Sequence, residues 1–292
     1  MSKPAILVTG ASGQLGRLVL SALKARDPDA DIVALVRRAE TAEEIAAAGA
    51  AVRIGDYSDP DSLRTAMAGI DRVLLISSNE MGQRVAQHQN VIDAAAGAGV
   101  GFIAYTSLLH ADTSPLGLAE EHRKTESALA ASGMAWALLR NGWYTENYSG
   151  AIALALQHGV LVGSAGDGRI SSAARADYAD AAAEIMLAAE PETGAVYELA
   201  GDEAFTLSDL AVELSRQSGK TIPYRDLPAA DYEKALAEAG LPPFLADFLA
   251  ECDVGTSKGA LYDDGHRLSR LIGRPTTPWQ NSMESALAAV PG

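Results

Sequence analysis

Six short, almost wholly apolar runs govern what this chain can fold into: AILVTG at 5–10, DIVALVR at 31–37, AVRIGD at 51–56, RVLLISS at 72–78, GFIAYTS at 101–107 and AWALLRN at 135–141. A strand with one wet face alternates polar and apolar residues. These runs do not alternate, so each calls for cover on both faces. The cover lies between them, in segments such as QLGRLVLSALKA and GQRVAQHQNVIDAAAGAG whose apolar residues recur three and four apart, as on one side of a helix. Strand and helix in regular alternation predict an α/β chain with a Rossmann-type doubly wound parallel sheet. Beyond residue 142 the alternation fades. Helices are expected near 144–158, 177–189, 207–218, 229–250, 263–272 and 279–290, with short strands near 195–199 and 221–225. The expected division is a main domain over 1–142, joined by later segments that return to it, and a smaller, mostly helical C-terminal lobe over 143–292.

Charge narrows the partners. The 292 residues hold 38 Asp and Glu against 23 Lys and Arg, a formal net charge of −15. Such a field repels phosphate backbones and anionic lipid, so no nucleic-acid partner is expected. No apolar run reaches the roughly 18 residues a bilayer span needs, and no membrane insertion is expected. The single Cys252 allows no internal disulfide and the opening MSKPAILVTG carries no secretory leader, which together read as a reducing cytoplasm. Histidines 88, 110, 122, 158 and 266 show no metal-ligand spacing, so no metal site is expected, and GxSxG is absent. A monomer and a homodimer fit the sequence equally well.

The strongest local signal is Gly10, Ala11, Ser12, Gly13, Gln14, Leu15 and Gly16, set between the first strand and an amphipathic helix. Gly10 suits a tight turn, Gly13 lets the backbone approach a pyrophosphate, and Gly16 lets the helix pack close to the strand. Amides unpaired at the start of that helix, aided by its dipole, face the phosphates. After the second strand, where a free ribose 2′-hydroxyl would call for Asp or Glu, stand Arg37 and Arg38. Guanidinium suits the 2′-phosphate of NADP. Asp56, after the third strand, either holds the adenine amino group or caps the next turn. Ser77, Ser78 and Asn79 leave the fourth strand where a nicotinamide ribose would lie, or are ordinary turn residues. Asn141, Gly142, Trp143, Tyr144 and Asn147 follow the sixth strand and form either a wall for nicotinamide and a flat acceptor or aromatic cover. Asp177 is placed to cap the helix DYADAAAEIM.

The spacing GxxGxxG is similar to that of short-chain dehydrogenases and reductases, yet none of the nine tyrosines is followed four residues later by Lys. The usual acid of that chemistry is absent. The glycine loop, together with FIAYTSLLHADTSPLGLAEEH at 102–122, LLRNGWYTENY at 138–148 and SKGALYDD…LIGRPTT at 257–277, resembles over essentially the whole chain the NmrA-like atypical short-chain reductases, and among them the bacterial NADPH:quinone reductases. The resemblance implies NADPH on the Rossmann domain and hydride passed to a quinone without flavin or metal. It equally implies a rival, since NmrA-type proteins include non-catalytic NADP(H) sensors that regulate a protein partner. Relatives in the wider group carry a Lys four residues before a Glu; here that Glu is Glu126 and the matching position is His122, with Lys124 about 200° round the helix. A quinone tolerates the loss, and His122, Tyr105 or Asn147 is the expected aid to catalysis. For His122 a hydrogen-bonded helix residue is the competing reading.

Overall fold

The computed structural model describes residues 3–47 and 49–288. In chain order the elements are β1 (Ala5–Val8), α1 (Gln14–Arg26), β2 (Asp31–Val36), α2 (Ala42–Ala47), β3 (Ala51–Ile54), α3 (Pro60–Ala66), β4 (Arg72–Leu75), α4 (Arg84–Gly97), β5 (Phe102–Leu108), α5 (Ala119–Ala131) and β6 (Ala135–Asn141). There follow α6 (Ser149–His158), β7 (Leu161–Gly163), α7 (Arg175–Leu187), β8 (Ala195–Leu199), α8 (Leu207–Ser218), β9 (Tyr224–Asp226), α9 (Ala229–Glu238), α10 (Pro243–Ser257), α11 (Arg267–Ile272) and α12 (Trp279–Ala288).

The chain divides into two compact units, one of residues 1–112, 118–141 and 176–199, the other of 113–117, 142–175 and 200–292. The first holds a seven-stranded sheet in the order β3-β2-β1-β4-β5-β6-β8, every pairing parallel. All six apolar runs lie in it. Alternate residues Leu7, Leu35, Val73, Leu75, Ile103, Tyr105 and Leu138 share one buried face with Leu63 of α3, Val91 and Ile92 of α4 and Leu129 of α5. The strand order reverses direction between β1 and β4, because the connection leaving β3 crosses to place β4 on the far side of β1. Ligands of doubly wound sheets bind at that switch, outside the carboxyl ends of the strands.

The second unit carries the parallel pair β7 and β9 and a core of Tyr232, Leu236, Ala246 and Ala250 between α9 and α10. Several expectations change here. The single helix over 229–250 is two helices, because Gly240 takes a left-handed φ of +94° and Pro242 precedes the first turn of α10. The helix near 263–272 starts only at Arg267, after His266 at φ 50°. β7 was not expected, and the strand near 221–225 is β9 at Tyr224–Asp226. Asp177 is not at the N-cap position: α7 begins at Arg175, whose amide donates to the Glu146 carboxylate at 2.9 and 3.1 Å, and Asp177 is buried within the first turn. The expected helix end at 289–290 lies outside the described residues. No helix among the described residues is long and apolar enough to cross a membrane.

Candidate functional site

The loop between β1 and α1 is built so that backbone is exposed. Gly10 turns the chain at φ +58°, and the Gly13 amide donates back to the Gly10 carbonyl at 3.0 Å. A Cβ on Gly16 would land on that same carbonyl oxygen and 2.7 Å from Ala11 Cα, so only glycine lets α1 approach this closely. Gly13 is the N-cap of α1 and offers no side-chain acceptor, and the first turn has no acidic residue. The start of the helix, with its positive dipole end, thus has neither a side-chain cap nor a carboxylate of its own, an arrangement able to receive an anion. Gly10, Gly13 and Gln14 are exposed, Ser12 is half-buried, and Ala11, Leu15 and Gly16 are buried beneath them. Arg17 holds the loop from behind, its Nε donating to the Ser12 carbonyl at 2.9 Å while its guanidinium pairs with Glu44.

Around this loop the carboxyl ends of neighbouring strands carry the other expected residues. Arg37 and Arg38 are exposed after β2, and Arg37 Nη1 pairs with Glu80 Oε1 at 2.7 Å. Asp56 is half-buried; its Oδ1 accepts the Ser58 amide at 2.7 Å, the turn-capping role weighed above. The Ser77 amide donates to Thr106 Oγ1 at 2.9 Å, the Ser78 amide to His88 Nε2 at 2.9 Å, and Asn79 is exposed. His88 Nε2 accepts, so its proton sits on Nδ1, 3.0 Å from Thr125 Oγ1. Burial, reinforced by the Arg84 charge, pushes this imidazole down to about 3, and it is neutral.

Tyr105 and His122 face each other inside the first unit, hydroxyl to Nδ1 at 2.7 Å, with 0% and 4% of their surface exposed. Burial raises the Tyr105 phenol well above its usual range. Burial, with Arg84 and His88 adding to it, lowers His122 to about 3. The pair is an interior hydrogen bond of uncharged groups. Asn141 closes β6, buried, its carbonyl accepting the Leu109 amide at 2.9 Å. Residues 142–147 belong to the second unit. There Gly142, Trp143 and Tyr144 are half-buried, Trp143 accepts the Ala173 amide at 3.1 Å, and the Tyr144 ring lies 4.7 Å from the Arg175 guanidinium. Asn147 is exposed, its Oδ1 3.4 Å from Arg175 Nη2.

Three groups of side chains at this edge escaped the sequence reading. Tyr57 reaches from the loop after β3 to Thr9 Oγ1 at 2.5 Å and the Ile76 carbonyl at 2.8 Å, tying together the ends of β1 and β4. Arg84 donates through Nε to the Ser78 carbonyl at 2.7 Å and pairs with Glu121 at 2.8 Å, and Glu121 also accepts the Gly82 amide at 2.9 Å. Arg140, on β6, is held by Glu126 at 2.8 Å, Glu198 at 2.8 Å and Asp112 at 3.1 Å, with Ser107 donating to Glu126 at 2.5 Å. Glu126, singled out above by its spacing from His122, is thus the partner of a buried arginine. Among the described residues no group of three or more His, Cys, Asp or Glu is arranged to hold a metal ion.

Residues 10–189 match the NAD(P)H-binding family model. The chain is 56% identical over 278 residues to quinone oxidoreductase 2 of Escherichia coli, covering 95% of this chain and 97% of that one. It superposes on the crystal structure of the Escherichia coli NADPH-dependent quinone oxidoreductase complexed with NADPH with a TM-score of 0.93, covering 97% of this chain and 99% of the other. Citrobacter sp. triphenylmethane reductase complexed with NADP(H) is 34% identical, with a TM-score of 0.90 over 97% of this chain and 100% of the other.

Proposed function

Since the chain belongs to the NAD(P)H-binding family, we propose that it is an NADPH-dependent quinone reductase, passing hydride directly to a quinone with neither flavin nor metal. The observation that carries this reading is the cradle of Gly10, Gly13 and Gly16 at an N-terminus without a side-chain cap, flanked by the exposed Arg37, in a chain so similar to a quinone oxidoreductase. The cradle fits a pyrophosphate because Gly16 lets the uncapped start of α1 pack against the Gly10 carbonyl, beneath the exposed backbone of Gly10 and Gly13. NADPH, when bound, supplies the hydride. The chain supplies placement: the loop from Gly10 to Gly16 for the pyrophosphate, Arg37 for the 2′-phosphate, Asp56 for adenine, Ser77, Ser78 and Asn79 for the nicotinamide ribose, and Asn141, Gly142, Trp143 and Tyr144 as further contacts. Holding donor and acceptor in register replaces a bimolecular encounter with an oriented one.

A quinone that accepts hydride becomes a hydroquinone anion, whose oxygen takes its proton from water. No strong acid on the protein is needed. That agrees with a Tyr105 phenol raised by burial and a neutral His122, whose proposed share in catalysis is to brace the carboxyl end of β5 from within. Asn147 has an exposed amide suited to donate to a quinone oxygen and is the proposed substrate contact. A reducing, cytoplasmic setting suits the lone buried thiol of Cys252.

The test is steady-state oxidation of NADPH, followed at the nicotinamide absorbance band, with a panel of benzoquinones and naphthoquinones. Turnover that favours NADPH over NADH is expected. Dinucleotide binding without turnover on any quinone would replace this reading with that of a cofactor-sensing regulator.

A further inference from the structure

Arg37 follows β2 and Glu80 follows β4, and these are the two strands on either side of β1. Their ion pair at 2.7 Å therefore joins the two loops that flank the carboxyl end of β1, from which the glycine loop departs. Glu80 is more than a loose surface carboxylate. Its Oε2 accepts Gln87 Nε2 at 2.7 Å, and its amide donates to Ser78 Oγ at 3.1 Å. Gln87 is itself buried, and its amide oxygen accepts the Ser78 hydroxyl at 2.5 Å. The carboxylate is thus fixed on α4 through a buried side chain, and the arginine docks onto it. The second arginine of the pair after β2, Arg38, is exposed beside it.

We propose that Glu80 is a specificity-determining residue that competes with the 2′-phosphate of NADPH for Arg37, and so sets how far the chain favours NADPH over NADH. The inference rests on the reading of the previous subsection. A phosphate in contact with Arg37 finds a fixed negative charge already on the same guanidinium, so it must displace that charge or bind beside it against repulsion. A ribose 2′-hydroxyl carries no charge, and a carboxylate is the group that accepts its hydrogen in NAD-binding sheets. Glu80 therefore disfavours the phosphate and leaves NADH unhindered. The pair is solvent-exposed, with 59% and 42% of the two side chains accessible, which limits the effect to a modest factor.

The experiment measures dissociation constants for NADPH and NADH with the full-length protein as wild type, Glu80→Gln, Arg37→Gln and the double variant. Glutamine keeps the shape of the carboxylate and removes its charge. Glu80→Gln should tighten NADPH by about three- to tenfold, leave NADH unchanged or weaker, and have no effect on NADPH once Arg37 is Gln. Equal shifts for both dinucleotides, a gain that survives loss of Arg37, or weaker NADPH binding would overturn the proposal while the reductase reading stands. A wild-type protein that binds neither dinucleotide would overturn both.

Discussion

Gly16 shows how much one position can demand. Its missing Cβ is what allows α1 to start against the Gly10 carbonyl, so Gly16→Ala should push the helix off β1, abolish NADPH binding in calorimetry and lower the melting temperature. If Arg37 holds the 2′-phosphate as proposed, Arg37→Glu should reverse the preference for NADPH over NADH in kcat/KM. His122 is neutral far above its depressed pKa of about 3. The kcat profile of the wild type should therefore show no limb near the ordinary histidine range, and His122→Asn should keep the same profile shape, checked across pH 5.5 to 8 as a rough window. The turn at Gly10 and the close approach at Gly16 were legible because their geometry is local to one loop. The pairs Arg37–Glu80 and Arg140–Glu198 were not, because 43 and 58 residues separate their members and only the sheet brings them together. Tyr105 and His122 drew attention as polar residues in a matching motif, and their burial could be read only from the face of β5 that Tyr105 shares with the core.

At the scale of elements, apolar runs marked the strands of the sheet, but β3, expected like the others to be covered on both faces, is an edge strand whose residues are exposed or half-buried. The runs that became β1, β2, β4, β5 and β6 are apolar because helices cover both their faces, whereas the three-residue β7 has no room for a pattern. The break between α9 and α10 was missed because apolar spacing continues through it, and the informative residues are Gly240 and Pro242. α8 was read to the residue, and its ends explain why. Thr206 caps it in a reciprocal box with Asp209, and Gly219 closes it in the left-handed region. Thr206→Ala removes the acceptor of the Asp209 amide and should cost about 1 kcal/mol of stability, seen as a lower urea midpoint with an unchanged m-value.

For the whole molecule, titration of buried groups contributes to how stability follows pH, and three of them, His88, His122 and Asp253, answer acid in opposite directions. In the first unit His88 and His122 are held neutral, with folded values of about 3 against 6.5 unfolded. Their contribution is fully present above about pH 6.5 and is lost as pH falls toward 3. In the second unit Asp253 accepts the Ser164 amide at 2.8 Å, yet burial raises its carboxyl to about 6, with Asp226 adding to the rise. Its contribution is fully present below the unfolded value of 3.8 and is lost as pH climbs through about 6. Near pH 5 as a rough midpoint, the unfolded chain takes up about two more protons at the histidines and about one fewer at Asp253, so these three groups together make acid destabilising, in the same direction as the carboxylates held low by their ion pairs. Asp253→Asn keeps an acceptor for Ser164 and removes the opposing proton. At neutral pH the variant should be more stable by roughly 3 kcal/mol, and its stability should fall more steeply on acidification than that of the wild type. Urea unfolding across the acid range measures both, and hydrogen exchange resolved by segment should put the neutral-pH gain in residues 200–292 while the histidine-linked loss stays in the parallel sheet.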